Sequence, residues 1–155
     1  MWYQTSTIRY LISPPSDLYD PLCIKEIDLS KSGIVYECEF TNKYKGNHTI
    51  GIAVENPPDP EKSSKEWSSE IKIEVYGEYD QGPLLLSQLV RKPYYIYFGG
   101  HISKGGFALI GYRSPDVLPL YRKLKCRFIV NKLDKAFMNG EYGKTMLCVS
   151  KASDK

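Results

Sequence analysis

Ile34-Val35-Tyr36-Glu37-Cys38-Glu39-Phe40 is the stretch on which the fold turns. Ile34, Tyr36, Cys38 and Phe40 fall on every second position, with Val35, Glu37 and Glu39 between them. In an extended backbone that spacing makes one face apolar and leaves the other wet, whereas a helix would scatter the same residues around its axis. The pattern returns along the chain. Ile50, Ile52 and Val54 alternate with Gly51, Ala53 and Glu55; Ile71, Ile73 and Val75 alternate with Lys72 and Glu74. Leu124, Cys126, Phe128 and Val130 alternate with Lys123, Lys125 and Arg127, and Leu147 and Val149 with Met146 and Cys148.

Turn chemistry separates these runs. Ser30-Lys31-Ser32-Gly33 ends a first strand over 24–29, and the turn at 42–47 predicts that the strands on either side of it pair as a hairpin. Pro57, Pro58 and Pro60 forbid a regular ladder over 56–69, which reads as an exposed connection with one helical turn after Pro60. Residues 84–90 are apolar without a clear period, open between a short strand and a helical turn. The aromatic run 94–98 is expected to pair with 107–112 across the glycine-rich connection 99–106. Residues 132–139 suit a helical turn, and Gly140-Glu141-Tyr142 is read as opening the last strand.

The period-two segments number seven to nine, and no helix is long enough for a βαβ crossover. The expectation is an all-β, immunoglobulin-like, two-sheet antiparallel β-sandwich with at most short helical turns. Residues 1–23, broken by Ser13-Pro14-Pro15-Ser16 and Asp20-Pro21, form an extended lead-in; 24–151 form one domain, and 152–155 a polar tail.

Composition narrows the function classes. A chain of 155 residues, 42% hydrophobic and 25% charged, suits one folded domain with one core. Its 21 basic and 18 acidic residues are interspersed, so the continuous basic face of a nucleic-acid binder is not expected. No run approaches the roughly 20 apolar residues that span a bilayer, and Met1-Trp2-Tyr3-Gln4 does not begin a signal peptide. Cys23, Cys38, Cys126 and Cys148 are even in number and lack CxxC spacing, which argues against zinc and permits three disulfide pairings in an oxidising compartment such as a periplasm. An immunoglobulin-like order would set Cys38 and Cys126 in opposite sheets, facing inward, and bring Cys23 near Cys148, giving those two pairs. The alternative is four reduced cysteines, some of them filling core space.

Catalytic and cofactor chemistry finds little support. His48 and His101 fall in predicted turns without a Cys, Asp or Glu at ligand spacing, so no metal is expected. No GxSxG elbow occurs, and Ser103 near His101 does not make a nucleophile site by itself. The 99–106 segment lacks the Walker and GxGxxG orders, so no nucleotide cofactor is expected. Glu37 with Glu39, and Glu74 with Glu78, are placed by alternation on solvent faces. Asn47-His48-Thr49 matches a glycosylation sequon, relevant only in a host that glycosylates secreted proteins. What remains is recognition. Asp59, Glu61 and Trp67 of the polar loop, Tyr95 and Tyr97 of the aromatic strand, and the basic outer row Lys123, Lys125 and Arg127 are the candidate partner-binding residues.

The order of these elements, from Ile27-Asp28-Leu29-Ser30-Lys31-Ser32-Gly33 through Ile71-Lys72-Ile73-Glu74-Val75 to Gly140-Glu141-Tyr142, resembles a family of small β-sandwich lipoproteins of proteobacteria. That family has no assigned function, and some members resemble immunity proteins encoded beside type VI secretion effectors. The resemblance covers about 24–149 and implies a non-catalytic periplasmic protein, lipid-anchored in its precursor, that occludes the active site of a toxic effector enzyme. A lipobox cysteine is missing from the start of the sequence, and no residue role carries over. A periplasmic or surface carbohydrate-binding or adhesion module is the alternative reading of the same features.

Overall fold

The computed structural model describes residues 16–57, 67–77, 82–90, 93–98 and 104–152. In chain order the elements are β1 (Cys23–Ile27), β2 (Val35–Thr41), β3 (Gly46–Val54), β4 (Glu70–Tyr76), β5 (Leu84–Val90), β6 (Tyr94–Phe98), β7 (Lys104–Ser114), β8 (Lys123–Lys132), the single-turn helix α1 (Lys135–Met138) and β9 (Thr145–Lys151). Residues 84–90 are therefore a strand, and the turn expected within 132–139 is α1. Residues 140–143 do not open the last strand. Gly140 and Gly143 both take positive φ, +70° and +69°, and carry the chain round from α1 to β9.

The strands form two sheets, β1-β9-β3-β7-β6 and β2-β8-β4-β5, with every pairing antiparallel. This is the expected two-sheet β-sandwich. Among consecutive strands only β4–β5 and β6–β7 are neighbours in a sheet; the other steps cross between the two sheets. The order β1-β9-β3-β7 opposite β2-β8-β4-β5 is the doubled Greek key of a jelly roll, with β6 added at one edge.

The hairpin expected between β2 and β3 does not form. β2 pairs with β8, while β3 lies between β7 and β9. The burial explains the difference. Residues Ile50, Ile52, Ala53 and Val54 of β3 are fully buried, so β3 needs a neighbour on each side and cover on both faces, as an interior strand has. On β2, Val35, Glu37 and Glu39 stay exposed, which suits a sheet edge. Alternation gives each strand its inner face and says nothing of its partner.

The inner faces meet in one core that includes Phe40, Ile50, Ile52, Ile71, Ile73, Val75, Leu124, Phe128, Val130, Leu147 and Val149. Each such side chain contributes about 1.5–3 kcal/mol when fully buried. At one end of the core Phe107, Phe137 and Tyr142 pack ring against ring, with centroids 4.8–5.7 Å apart. Helix α1 delivers Phe137 to this cluster. Its N-cap Asp134 accepts from the Phe137 N–H at 3.3 Å and from the Ser69 hydroxyl at 3.0 Å, and the Asp134 N–H donates back to Ser69 Oγ at 2.8 Å.

A second, smaller cluster of Ala53, Phe98 and Cys148, with Ile96 and Met146 against it, covers the outer side of the five-stranded sheet. Phe98 lies across Gly51 and Gly106 on the neighbouring strands. A Cβ at Gly106 would stand 2.0 Å from the Ile52 carbonyl oxygen and 2.9 Å from the Phe98 ring, so only glycine admits this close approach.

Candidate functional site

The most informative surface is the outer face of the four-stranded sheet, ending at the β5 edge. The register aligns three rows across it. Val35, Ile129, Lys72 and Leu89 form one; Glu37, Arg127, Glu74 and Ser87 the next; Glu39, Lys125, Tyr76 and Leu84 the third. The expected basic face is thereby neutralised at its β2 end. Lys123 pairs with Glu39 at 3.1 Å, Lys125 with Glu37 at 3.0 Å, and Arg127 with Glu37 at 3.4 Å. Cross-strand pairs of this kind are worth roughly 0.2–1 kcal/mol each and fix register more than they attract a partner.

Glu74 is buried, contrary to its expected place in solvent. It lies beside Arg127 in the same row and accepts a hydrogen bond from the Tyr76 hydroxyl at 2.8 Å. Its partner in the sequence reading, Glu78, lies outside the described residues, so the two do not make a described carboxylate pair.

At the far side of the face the character changes. β5 is the edge of its sheet and reads Leu84-Leu85-Leu86-Ser87-Gln88-Leu89-Val90, without a charge or a proline. Leu84, Leu85 and Leu89 are 50%, 37% and 37% exposed. The register shift between Val75 and Tyr76 leaves Leu85 without a counterpart on β4, a bulge that turns one more leucine out. Edge strands are ordinarily protected by charge or proline against pairing with another chain. β1 carries Lys25 and Glu26, and β2 carries Glu37 and Glu39; β5, like the edge strand β6, has neither a charge nor a proline, and its bulge is the one irregularity along it.

The remaining candidates fall elsewhere. The Trp67 ring turns inward, half-buried, with centroids 5.1 Å from Phe107 and 5.5 Å from Phe137. That places it against the core cluster and not on an exposed recognition loop. Tyr95 and Tyr97 sit on β6, the edge of the five-stranded sheet, with their side chains outside the described residues. Asp59, Glu61, His101 and Ser103 also lie outside the described residues. Of the candidates whose side chains are described, Lys123, Lys125 and Arg127 share the outer face of the four-stranded sheet, and Trp67 lies apart from them against the core. The leucines of β5 are absent from the sequence-based candidates, and their signal in the sequence is the uncharged run after Gly82-Pro83.

His48 is not a solvated turn residue. It sits in β3, 1% exposed, stacked on Tyr112 at 5.2 Å, with Nδ1 3.0 Å from the Gly46 carbonyl. A carbonyl oxygen only accepts, so Nδ1 is the donor in that contact. An open cleft of about 550 Å³ runs beside it, lined by Asn47, Tyr112, Arg113 and Asp116 among others, and Arg113 and Asp116 pair at 3.5 Å. Among the described residues no group of three or more His, Cys, Asp or Glu could hold a metal.

The two expected disulfides are corrected by strand placement. Cys38 and Cys126 do not face each other across the core; they are directly opposite on β2 and β8 of one sheet. Cys23 and Cys148 occupy the neighbouring strands β1 and β9, but Cys23 registers with Val149, which faces the core, while Cys148 belongs to the outer cluster. Adjacent positions on a strand point to opposite faces, so the sheet stands between those two sulfurs. All four cysteines are free thiols. Burial pushes the Cys148 thiol up to about 12, and it stays protonated at neutral pH.

No protein-family model matches the chain, and no curated protein matches it. Among solved structures it is similar to a protein from Sulfurospirillum deleyianum, with a TM-score of 0.58 and 11% identity over 84% of this chain and 97% of that one. At that identity the likeness speaks for the fold alone. The infectious bursal disease virus VP2 subviral particle aligns with a TM-score of 0.30 and 7% identity over 85% of this chain and 38% of that one, too distant to bear on the argument.

Proposed function

We propose that this chain is a non-catalytic binding protein of the immunity or inhibitor type, acting in an exported compartment, that neutralises a toxic enzyme by occluding its active site, and that the β5 edge is the element it presents. The observation that supports this reading is the uncharged edge strand with three exposed leucines. A strand edge offers main-chain donors and acceptors at regular spacing, and another polypeptide can continue the sheet there while the leucines supply apolar contact. The exposed side chains of the edge strand itself are leucines, with Lys72 and Tyr76 beside them on β4. The sandwich behind it is a stiff support, so little ordering cost falls on the complex.

The test uses the product of the neighbouring gene. Co-expressed with the chain, it is expected to co-elute as a stable complex and to lose its enzymatic activity. A Leu84→Lys/Leu89→Lys variant, with its melting temperature within about 3 °C of the parent because both positions are solvent-exposed, is expected to bind at least about 100-fold more weakly, given two buried charges in the interface. A partner that retains full activity when bound, or glycan-array binding by a chain that recognises no protein, would overturn the reading.

A further inference from the structure

The edge strands of the two sheets, β1 and β2, are held together along one side of the sandwich. Lys25 Nζ donates to the Glu37 carbonyl at 2.9 Å; the Tyr36 hydroxyl accepts from the Asp28 N–H at 2.9 Å and donates to the Asp28 carbonyl at 2.7 Å. Inside this seam three thiols come together. Cys23, two residues before Lys25, packs against the core cluster that holds Cys38, the residue after Glu37, and Cys126, the residue directly opposite Cys38 on β8. Cys38 and Cys126 are buried, Cys126 completely, whereas Cys23 is half-buried at the surface end of the group.

We propose that this seam is an oxidative cross-linking site, at which Cys23 and Cys38 form a disulfide that fastens the two sheets edge to edge. The inference is independent of what the protein binds. Two arguments select this pair over Cys38 with Cys126. Directly opposite residues on antiparallel strands hold their Cβ atoms about 4.5–5.5 Å apart, beyond the roughly 3.5–4.5 Å that a disulfide spans, so a bond there must distort the ladder. No ladder joins β1 to β2, so these edges can close without breaking a strand pairing. Exchange also needs a sulfur that an oxidant can reach, and of the three only Cys23 is partly exposed.

The co-reactant is a small disulfide such as oxidised glutathione. The Cys23 thiolate attacks one of its sulfurs, forming a mixed disulfide and releasing one glutathione thiolate. Cys38, deprotonated, then attacks the Cys23 sulfur; the second glutathione leaves as thiolate, and the protons lost by Cys23 and Cys38 end on the two reduced glutathiones. The protein is oxidised by two electrons and the small disulfide is reduced by two. The neighbouring Cys38 thiol and burial push the Cys23 thiol far above its usual range, and Cys38 is raised by its contact with Cys126, so the reaction is slow at neutral pH and faster in mild alkali.

Trypsin separates the four cysteines. Cys23 falls in peptide 10–25, Cys38 in 32–43, Cys126 in the dipeptide 126–127 and Cys148 in 145–151. The folded full chain is incubated with oxidised glutathione at about pH 8.5, alkylated, digested without reduction and analysed by mass spectrometry. The expected product is 10–25 joined to 32–43, with a rise in Tm of about 6–12 °C for closing so short a loop. Cys126→Ala is expected to keep this cross-link; Cys23→Ser is expected to lose both the cross-link and the rise in Tm. Four thiols that survive the treatment, a link from 32–43 to the Cys126 dipeptide in the parent, or a rise in Tm that persists in Cys23→Ser would each overturn the proposal.

Discussion

Replacing Trp67 with alanine separates a core role from a recognition role. The ring packs on Phe107 and Phe137, with centroids 5.1 and 5.5 Å away. An aromatic of this size buries about 200 Å² when enclosed; half of that, at about 25 cal/mol per Å², is roughly 2.5 kcal/mol. Two aromatic pairs add about 0.5–1.5 kcal/mol each, which gives about 3.5–5.5 kcal/mol, close to the roughly 3–5 kcal/mol that truncating a packed aromatic costs. In a chain of this length 1 kcal/mol moves Tm by about 2–4 °C, so the variant is expected to melt about 6–20 °C lower, by calorimetry or far-ultraviolet circular dichroism. Trp67→Phe keeps one ring in the cluster and should lose about half as much. Affinity for the partner, measured where both proteins are folded, should stay within about threefold of the parent. A Tm within about 2 °C of the parent together with a tenfold or greater loss of affinity would refute the core assignment and return Trp67 to the interface.

Gly106→Ala sets a Cβ 2.0 Å from the Ile52 carbonyl oxygen, a backbone atom that cannot swing aside, and is expected to cost more than about 2 kcal/mol by urea unfolding. Gly33→Ala, in open space at φ +80°, should cost only about 1 kcal/mol; equal losses at the two positions would deny the close approach under Phe98. Hydrogen bonds from Ser30, its hydroxyl and its N–H at 2.9 Å, hold the Asp28 carboxyl below its usual range. A depressed carboxylate favours the folded state above about pH 4, and that contribution is lost as pH falls through the folded value. Asp28→Asn should therefore be less stable than the parent at neutral pH and converge on it in acid, as read by urea midpoints; a gap that stays constant into strong acid would contradict the assignment.

Much of the fold is legible in the sequence because burial has a period. The alternation of Tyr36, Cys38 and Phe40, of Ile71, Ile73 and Val75, and of Leu124, Cys126, Phe128 and Val130 marks the inner faces of β2, β4 and β8. β5 is harder to read. Leu86 and Val90 face the core while Leu84 and Leu89 stand on the outer face, and the bulge at Leu85 breaks the alternation between them, so no period appears. Glu74 shows the opposite limit. Alternation assigns it correctly to the outer side of β4, beside Tyr76, but its burial also depends on Arg127 on β8, which only the register supplies.

Beyond the expected pairing of 94–98 with the strand after the glycine-rich connection, which β6 and β7 make, strand partners are not legible, and the cysteines carry the consequence. If β2 and β8 belonged to different sheets, Cys38 and Cys126 would meet across the core; as neighbours in one sheet they lie side by side, and the thiol opposite them is Cys23. The same sulfurs on the same inner faces yield a different cross-link when only the strand order changes. In the double Greek key each interior strand takes partners remote in sequence, and the turn at 42–47 is compatible with either a hairpin or a crossing between sheets. What selects the crossing is the need to cover β3 on both sides, and that requirement becomes visible only when β7 and β9, some 60 and 100 residues further along the chain, are in place.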